Sequence, residues 1–142
     1  MRSLRTAAPT LAAAVLLTGA AVAASDPQVL GLWKIEQARA APLPHKLNAR
    51  IDFRPDGQML AHGGCNSITG RYTLEGNTLK LGALAVTRKI CPDELMEQED
   101  RVISALERAV HARVPPHGLL ELKDELGTVM LRGSRVDAAP AQ

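Results

Sequence analysis

Short alternations of apolar and polar residues, separated by turn residues, run through most of this chain. The clearest covers residues 47–53, where every second residue is apolar. This period of two is typical of a strand with one buried face. The turn residues Pro55-Asp56-Gly57 follow, and residues 58–62 are predicted as the returning strand of a hairpin. Because such strands bury their apolar faces only by assembling together, the pattern predicts an antiparallel sheet.

Further segments repeat the pattern, with one helical interruption. Strands are predicted over residues 29–36, 71–74, 78–81, 119–123 and 128–131. Pro92, the acidic Asp93 and Glu94, and apolar residues at helical spacing through Val110 predict an amphipathic helix of about four to five turns. We therefore expect a mainly β (α+β) domain, a small barrel or sandwich of about seven strands with the helix over one end or face.

Residues 1–24 have the three-part pattern of a secretory signal peptide. Arg2 and Arg5 precede an apolar run over residues 11–22, and small residues then allow cleavage after Ala23 or Ala24. The alternative, a membrane anchor, is disfavoured because the run is shorter than the roughly 20 residues that span a bilayer. We expect a periplasmic protein with its domain over residues 25–136 and a disordered tail over residues 137–142.

Charge and composition exclude several partner classes. The chain has 17 basic and 15 acidic residues, and removal of Arg2 and Arg5 would leave the charges balanced. No electrostatic basis then remains for nucleic-acid binding or for more than peripheral membrane association. The only aromatic residues, Trp33, Phe53 and Tyr72, are too few to form a stacking platform for single-stranded nucleic acid.

Cys65 and Cys91 are the only cysteines of the chain. In an oxidising compartment such a pair predicts a structural disulfide, which for a loop of this length stabilises the fold by roughly 3.5 kcal/mol. A redox-active pair is the less favoured alternative, because redox cysteines usually lie close together as Cys-x-x-Cys. Two free buried thiols remain a third possibility from the sequence.

Candidate catalytic and metal-binding groups are sparse. The chain has four histidines: His45, His62, His111 and His117. Their spacing matches no metal motif, so neither a metal nor another cofactor is expected. Ser67 is the one candidate nucleophile, but it lies in a glycine-rich turn without the Gly-x-Ser-x-Gly pattern. The acidic run over residues 93–100 is interpreted as a solvated helix face, with cation binding or mimicry of an anionic partner as alternatives. We expect no catalytic residue.

Eight residues that lie before the predicted helix form an ordered set of motifs. They are here called the signature residues. The set consists of Gly63, Gly64, Cys65, Asn66, Gly70, Tyr72, Thr87 and Cys91. In this order and spacing the set resembles the META domain family, whose bacterial members include the HslJ-like envelope proteins. The resemblance extends from Trp33 to the final hairpin. It departs at Val102, where the family often has a larger residue, and at Arg132, where its last strand usually ends apolar.

The resemblance implies a lipocalin-like or streptavidin-like antiparallel barrel with one crossing helix, and signature residues that are structural rather than catalytic. We expect Asn66 either to adopt the left-handed backbone conformation in its turn or to cap that turn with its side chain. We expect the two cysteines to link this turn to the start of the helix.

The family's link to envelope stress leads us to expect an exported, non-enzymatic monomer. It would support the bacterial envelope by binding an unknown envelope protein or a small apolar ligand. The alternative is an inhibitor or docking module that acts through loops or an exposed edge strand. A hydrolase or redox enzyme is a third class, for which no convergent polar residues are evident. An enclosed apolar cavity in the barrel would favour the binding of a small ligand. We expect instead that side chains fill the interior, which favours the docking module.

Overall fold

The computed structural model describes residues 28–45 and 49–136. The predicted signal peptide and the predicted tail lie outside the described residues, as does the start of the strand predicted over residues 47–53. The elements in chain order are β1 (Gly31–Ala38), β2 (Ala41–Pro42), β3 (Arg50–Phe53), β4 (Gln58–His62), β5 (Ser67–Glu75), β6 (Thr78–Leu81), β7 (Ala85–Val86), α1 (Asp93–Arg108), β8 (His111–Arg113), β9 (Leu120–Lys123) and β10 (Val129–Arg135).

Eight of these strands form a closed antiparallel barrel in the order β1-β3-β4-β5-β6-β8-β9-β10. Closure comes from pairing of β10 with β1, where Trp33 lies opposite Arg135 and Ala38 opposite Leu131. The two remaining strands are short additions, β2 on β1 and β7 on β5. The structure therefore confirms the mainly β fold and resolves the choice between barrel and sandwich in favour of the barrel.

Large apolar side chains occupy the interior of the barrel. Trp33, Phe53 and Met59 come from three different strands and are fully buried. The rings of Phe53 and Tyr72 meet edge to face with centroids 5.0 Å apart. Tight packing of this kind is typical of a protein core rather than of a ligand-carrying barrel.

Helix α1 packs against β10, β1 and β9 through Val102, Ala105 and Leu106, which are fully buried. It ends at Arg108, whereas the sequence predicted continuation to Val110. The reason is that the backbone already pairs with strands there: the Val110 N–H donates to the Lys123 carbonyl and the Val110 carbonyl accepts from Leu79. No helix within the described ranges has both the length and the apolar character needed to cross a membrane.

Several strands differ from their predicted bounds. Strand β1 covers residues 31–38 rather than 29–36, and β5 begins at Ser67, four residues before the predicted start. Gly70 therefore lies within a strand, where an added Cβ would meet the Leu84 side chain at 2.9 Å. Its role is close packing rather than turning the chain. Strands β2, β7 and β8 were not predicted at all.

The weakest join of the barrel lies between β6 and β8, which share one register pair, Thr78 opposite His111. Strand β7 continues along the same edge of β5 as β6, because β6 pairs with residues 72–75 and β7 with residues 68–69. Beyond the join with β8, this β6–β7 edge faces helix α1 across an open groove.

Candidate functional site

The turn before β5 lies directly against helix α1. A Cβ added at Gly63 would lie 2.9 Å from the Glu99 Cα, and one added at Gly64 would lie 2.9 Å from the Gln98 Nε2. Gly64 also has a φ of +137°, which L side chains rarely adopt. Gly63 and Gly64 therefore allow a close approach of turn and helix that a side chain would prevent.

Two polar side chains of the helix are buried at this contact. Gln98 is 1% exposed, and its Nε2 donates to the carbonyls of Gly63 (2.6 Å) and His45 (3.0 Å). Glu99 is 3% exposed and accepts hydrogen bonds from the Asn66 backbone N–H and, at 2.8 Å, from the Asn66 Nδ2. The interpretation of the acidic run over residues 93–100 as a solvated face is therefore wrong at Glu99, because the contact with the turn buries it.

Asn66 joins three segments through one side chain. Its Oδ1 accepts from the Lys89 backbone N–H (2.6 Å) and from the Thr87 hydroxyl (3.0 Å), while its Nδ2 donates to Glu99. The positive φ of the turn belongs to Gly64 and not to Asn66. Of the two roles considered for Asn66, the structure thus shows side-chain capping and not a left-handed backbone.

The predicted disulfide is present between Cys65 and Cys91, whose Cα atoms are 6.0 Å apart. The alternative of two free thiols is therefore wrong. The bond ties the turn before β5 to residues 87–91, here called the signature loop, just before helix α1. The loop is held at one end by Asn66 and at the other by the disulfide.

Gly70 and Tyr72, the remaining signature residues, lie along β5 away from the loop. The Tyr72 hydroxyl donates to the Arg54 carbonyl at 2.6 Å. Burial, with added effect from the negative charges of Asp56 and Asp52, raises the pKa of Tyr72 above its usual value. The hydroxyl therefore stays protonated and acts as a structural donor.

The signature loop presents an apolar side chain to solvent. Ile90 is 98% exposed, and the exposed side chains of Arg88 and Lys89 precede it. Beside the loop lies a groove of about 590 Å³ between β7 and α1. Its apolar walls are formed by Leu84, Val86, Met96 and Ile103.

The other sequence candidates do not converge with this surface. Ser67 is exposed and lies opposite His62 on the neighbouring strand. The His62 Nδ1 accepts a hydrogen bond from the Gly64 N–H at 3.3 Å, so this nitrogen contacts the turn and not Ser67. Within residues 28–45 and 49–136, no three potential ligands among histidine, cysteine and carboxylate groups come close enough to hold a metal.

One ionic cluster was not predicted from the sequence. Glu121 is 4% exposed on β9, with Arg113 of β8 and Arg132 of β10 directly opposite. Its carboxylate oxygens accept from the Arg113 Nη2 (3.1 Å) and the Arg132 Nη2 (3.0 Å). Burial alone would raise the pKa of Glu121, but these hydrogen bonds and the charge of Lys123 outweigh it and lower that pKa. The departure from the family pattern at Arg132 was the one sequence signal of this cluster.

The fold and the site together define a small β-barrel domain whose turn, loop and helix are joined by a disulfide and a buried asparagine. The sequence model of the META domain family matches residues 28–137, so the chain belongs to the META domain family. No curated protein sequence matches the chain.

Two solved structures show the same fold. A protein from Burkholderia xenovorans, solved by NMR, is 21% identical with a TM-score of 0.58, over 90% of this chain and 100% of that one. A crystal structure of a DUF4847 family protein from Bacteroides vulgatus is 15% identical with a TM-score of 0.58, over 79% of this chain and 96% of that one. At these identities the likeness concerns the fold alone.

Proposed function

We propose that this META domain protein is an exported, non-enzymatic domain that supports the bacterial cell envelope under stress by binding a partner protein through its signature loop. The observation that carries the proposal is the exposure of Ile90, 98%, on a loop that is fixed at both ends. Ile90 lines the same groove as the apolar Leu84, Val86, Met96 and Ile103, and contiguous exposed apolar surface often marks an interaction site. A fixed loop also loses little conformational freedom on binding, which favours affinity.

A protein partner is favoured over a small apolar ligand held within the barrel. Trp33, Phe53 and Met59 already occupy the interior, and a ligand would have to displace them. The groove and the loop, by contrast, are open to solvent. This supports the docking role that the sequence offered as an alternative and combines it with the envelope function.

The remaining parts of the proposal have narrower support. The Cys65–Cys91 disulfide fits an oxidising compartment such as the periplasm. The buried Asn66 and Glu99 are hydrogen-bonded to each other, and Asn66 also binds the loop, which favours a structural role over catalysis. We place no metal or cofactor in the proposed function.

The test is complementation of a deletion strain under detergent and osmotic stress. Ile90→Asp should fail to restore growth although its melting temperature and periplasmic level match those of the wild type. Leu126→Asp is the matched control, because Leu126 is 90% exposed in the turn between β9 and β10. Full complementation by Ile90→Asp, or equal failure of both variants, would refute the role of the loop.

A further inference from the structure

The outer edge of β7 has no strand beside it in the described part of the chain. Strand β7 pairs with β5 on one side, with Ala85 opposite Thr69 and Val86 opposite Ile68. The Thr87 N–H donates to the Ser67 carbonyl at 3.1 Å. Because antiparallel backbone groups alternate in direction, those of Ala85 also point toward β5, and those of Val86 point away from it. The backbone of Val86 therefore faces the groove.

The groove along this edge has an apolar lining on both sides. Its first part, about 590 Å³, lies between Val86 on the strand side and Met96 and Ile103 on the helix side. A second depression of about 470 Å³ shares Leu84 with it and continues along β6 to Val110. Apolar side chains thus form both walls beside the outward N–H and C=O of Val86, which offer a hydrogen-bonding position for an added strand.

Charge at one end of the edge selects the sequence that would bind. Arg88 and Lys89 follow β7 directly, have exposed side chains and take part in none of the ion pairs among the described residues. A carboxylate in the binding segment would find two cations on the strand side of the groove, whereas Glu99 and Asp100 line its helix side. A basic segment would be repelled at the same place.

We infer that an extended segment of a partner protein adds to the free edge of β7 as a strand, with apolar side chains in the groove and an acidic residue beside Arg88 and Lys89. This inference rests on the proposed function, since it names the part of the partner that binds at the face from which Ile90 projects. Backbone hydrogen bonds would supply affinity, and the alternating side chains together with the acidic end would supply specificity.

The probe is a short synthetic peptide of alternating valine and threonine with a pair of aspartates, made with the pair at either end so that both strand directions are tested. Its control has lysines instead of the aspartates. We expect one aspartate peptide to shift the amide resonances of Leu84 and Val86 and to bind at least about tenfold more tightly than the lysine peptide. Equal binding of both peptides, or no binding at millimolar concentration, overturns the inference.

Two changes test the backbone contact itself. Val86→Pro removes the N–H that faces the groove and leaves the pairing of Ala85 intact, so affinity should fall about tenfold. Val86→Thr keeps both the N–H and the branched shape, and its affinity should stay within about twofold of the wild type. Should Val86→Pro not fold, N-methylation of alternate peptide residues removes the same hydrogen bonds from the other side. Unchanged affinity after both changes contradicts strand addition.

The outcomes separate this inference from the function on which it rests. If the peptides fail to bind while Ile90→Asp still abolishes complementation, strand addition is wrong and the loop function stands. If Ile90→Asp complements fully, the loop function is wrong whatever the peptides do.

Discussion

Asn66 occupies a position that few side chains could fill. The carboxylate of Glu99 needs donors, and the Lys89 N–H and the Thr87 hydroxyl need an acceptor. A carboxamide offers both at the end of one short side chain, whereas an aspartate offers only acceptors. The identity of this residue follows from the buried groups that surround it and not from the backbone of the turn.

We predict that Asn66→Asp lowers the free energy of unfolding by about 3 kcal/mol at neutral pH, because it places two carboxylates together in a buried site. Urea denaturation measures the change. Ser67→Ala is the neighbouring control, since Ser67 is exposed, and its effect should stay within about 0.5 kcal/mol. Equal stability of Asn66→Asp and the wild type would show that Asn66 does not hold the loop.

A second residue-scale prediction concerns acid stability. The pKa of Glu121 is lower in the folded protein than its ordinary value of 4.5. Its stabilising contribution is therefore complete above pH 4.5 and is lost as the pH falls through the folded pKa. Glu121→Gln should cost about 2 kcal/mol at pH 7 and should reduce the loss of stability in acid.

Urea denaturation between pH 7 and pH 3 measures this difference. Glu125→Gln serves as the control, because Glu125 is exposed in a turn and should follow the wild-type pH profile. An identical pH profile for Glu121→Gln and the wild type would contradict the stabilising role of the cluster.

The sequence indicated residues whose role depends on local pattern and missed those whose role depends on distant partners. Cys65 and Cys91 were paired correctly because they are the only cysteines. Glu121 alternates with two leucines, but its burial depends on arginines on two other strands, which the local pattern does not indicate. Glu99 was likewise predicted to be solvated, because the sequence of its helix does not indicate that Gly63 packs against it.

At the scale of elements, the turn between β1 and β2 has an unfavourable backbone conformation. Arg39 and Ala40 have φ values of 51° and 60°, and they are the only non-glycine residues with positive φ among those described. Two-residue hairpin loops of this kind prefer Asn-Gly, because the left-handed conformation crowds a Cβ.

We predict that Ala40→Gly raises the free energy of unfolding by about 1 kcal/mol, because glycine adopts this conformation without strain. The converse change, Gly76→Ala, should lower it by about 1 kcal/mol, since Gly76 has a φ of +59° and no neighbour within 4 Å. Thermal unfolding of the pair measures both effects. Destabilisation by Ala40→Gly would contradict the strain assigned to this turn.

Element prediction succeeded where one face of an element is buried along its whole length. The hairpin of β3 and β4 has that property, and the buried residues of helix α1 recur from Gln98 to Leu106. It failed for β2 and β7, which have two residues each, and for β8, which has three with one buried alanine. Hydrogen bonds from neighbouring strands hold such short strands in place. Two or three residues are too few to show a periodic pattern of apolar side chains in the sequence.

For the whole molecule, the disulfide closes a separation of 26 residues around β5, β6 and β7. We predict that replacing both cysteines by serine lowers the free energy of unfolding by about 3.5 kcal/mol and the melting temperature by about 10 °C or more. Calorimetry of the double variant measures the loss. An unchanged melting temperature would mean that Asn66 and the barrel hold the loop without the disulfide.

Intact mass of protein purified from the periplasm is the companion measurement. A chain that begins at Ala24 or Ser25 and that is alkylated only after reduction would agree with export and with a bonded Cys65–Cys91 pair. A full-length mass with two free thiols would contradict the proposed compartment and the disulfide in solution.

The barrel closes by pairing its first strand with its last, so closure must follow synthesis of the last strand. Arg135 donates from Nη1 to the Leu30 carbonyl, 105 residues earlier in the chain, and its guanidinium lies 4.0 Å from the Trp33 ring. Contacts between the first and last strands require the longest chain closure in the domain and so form slowly. The ribosome makes β1 first and β10 last. The barrel therefore cannot close until its final strand has been synthesised.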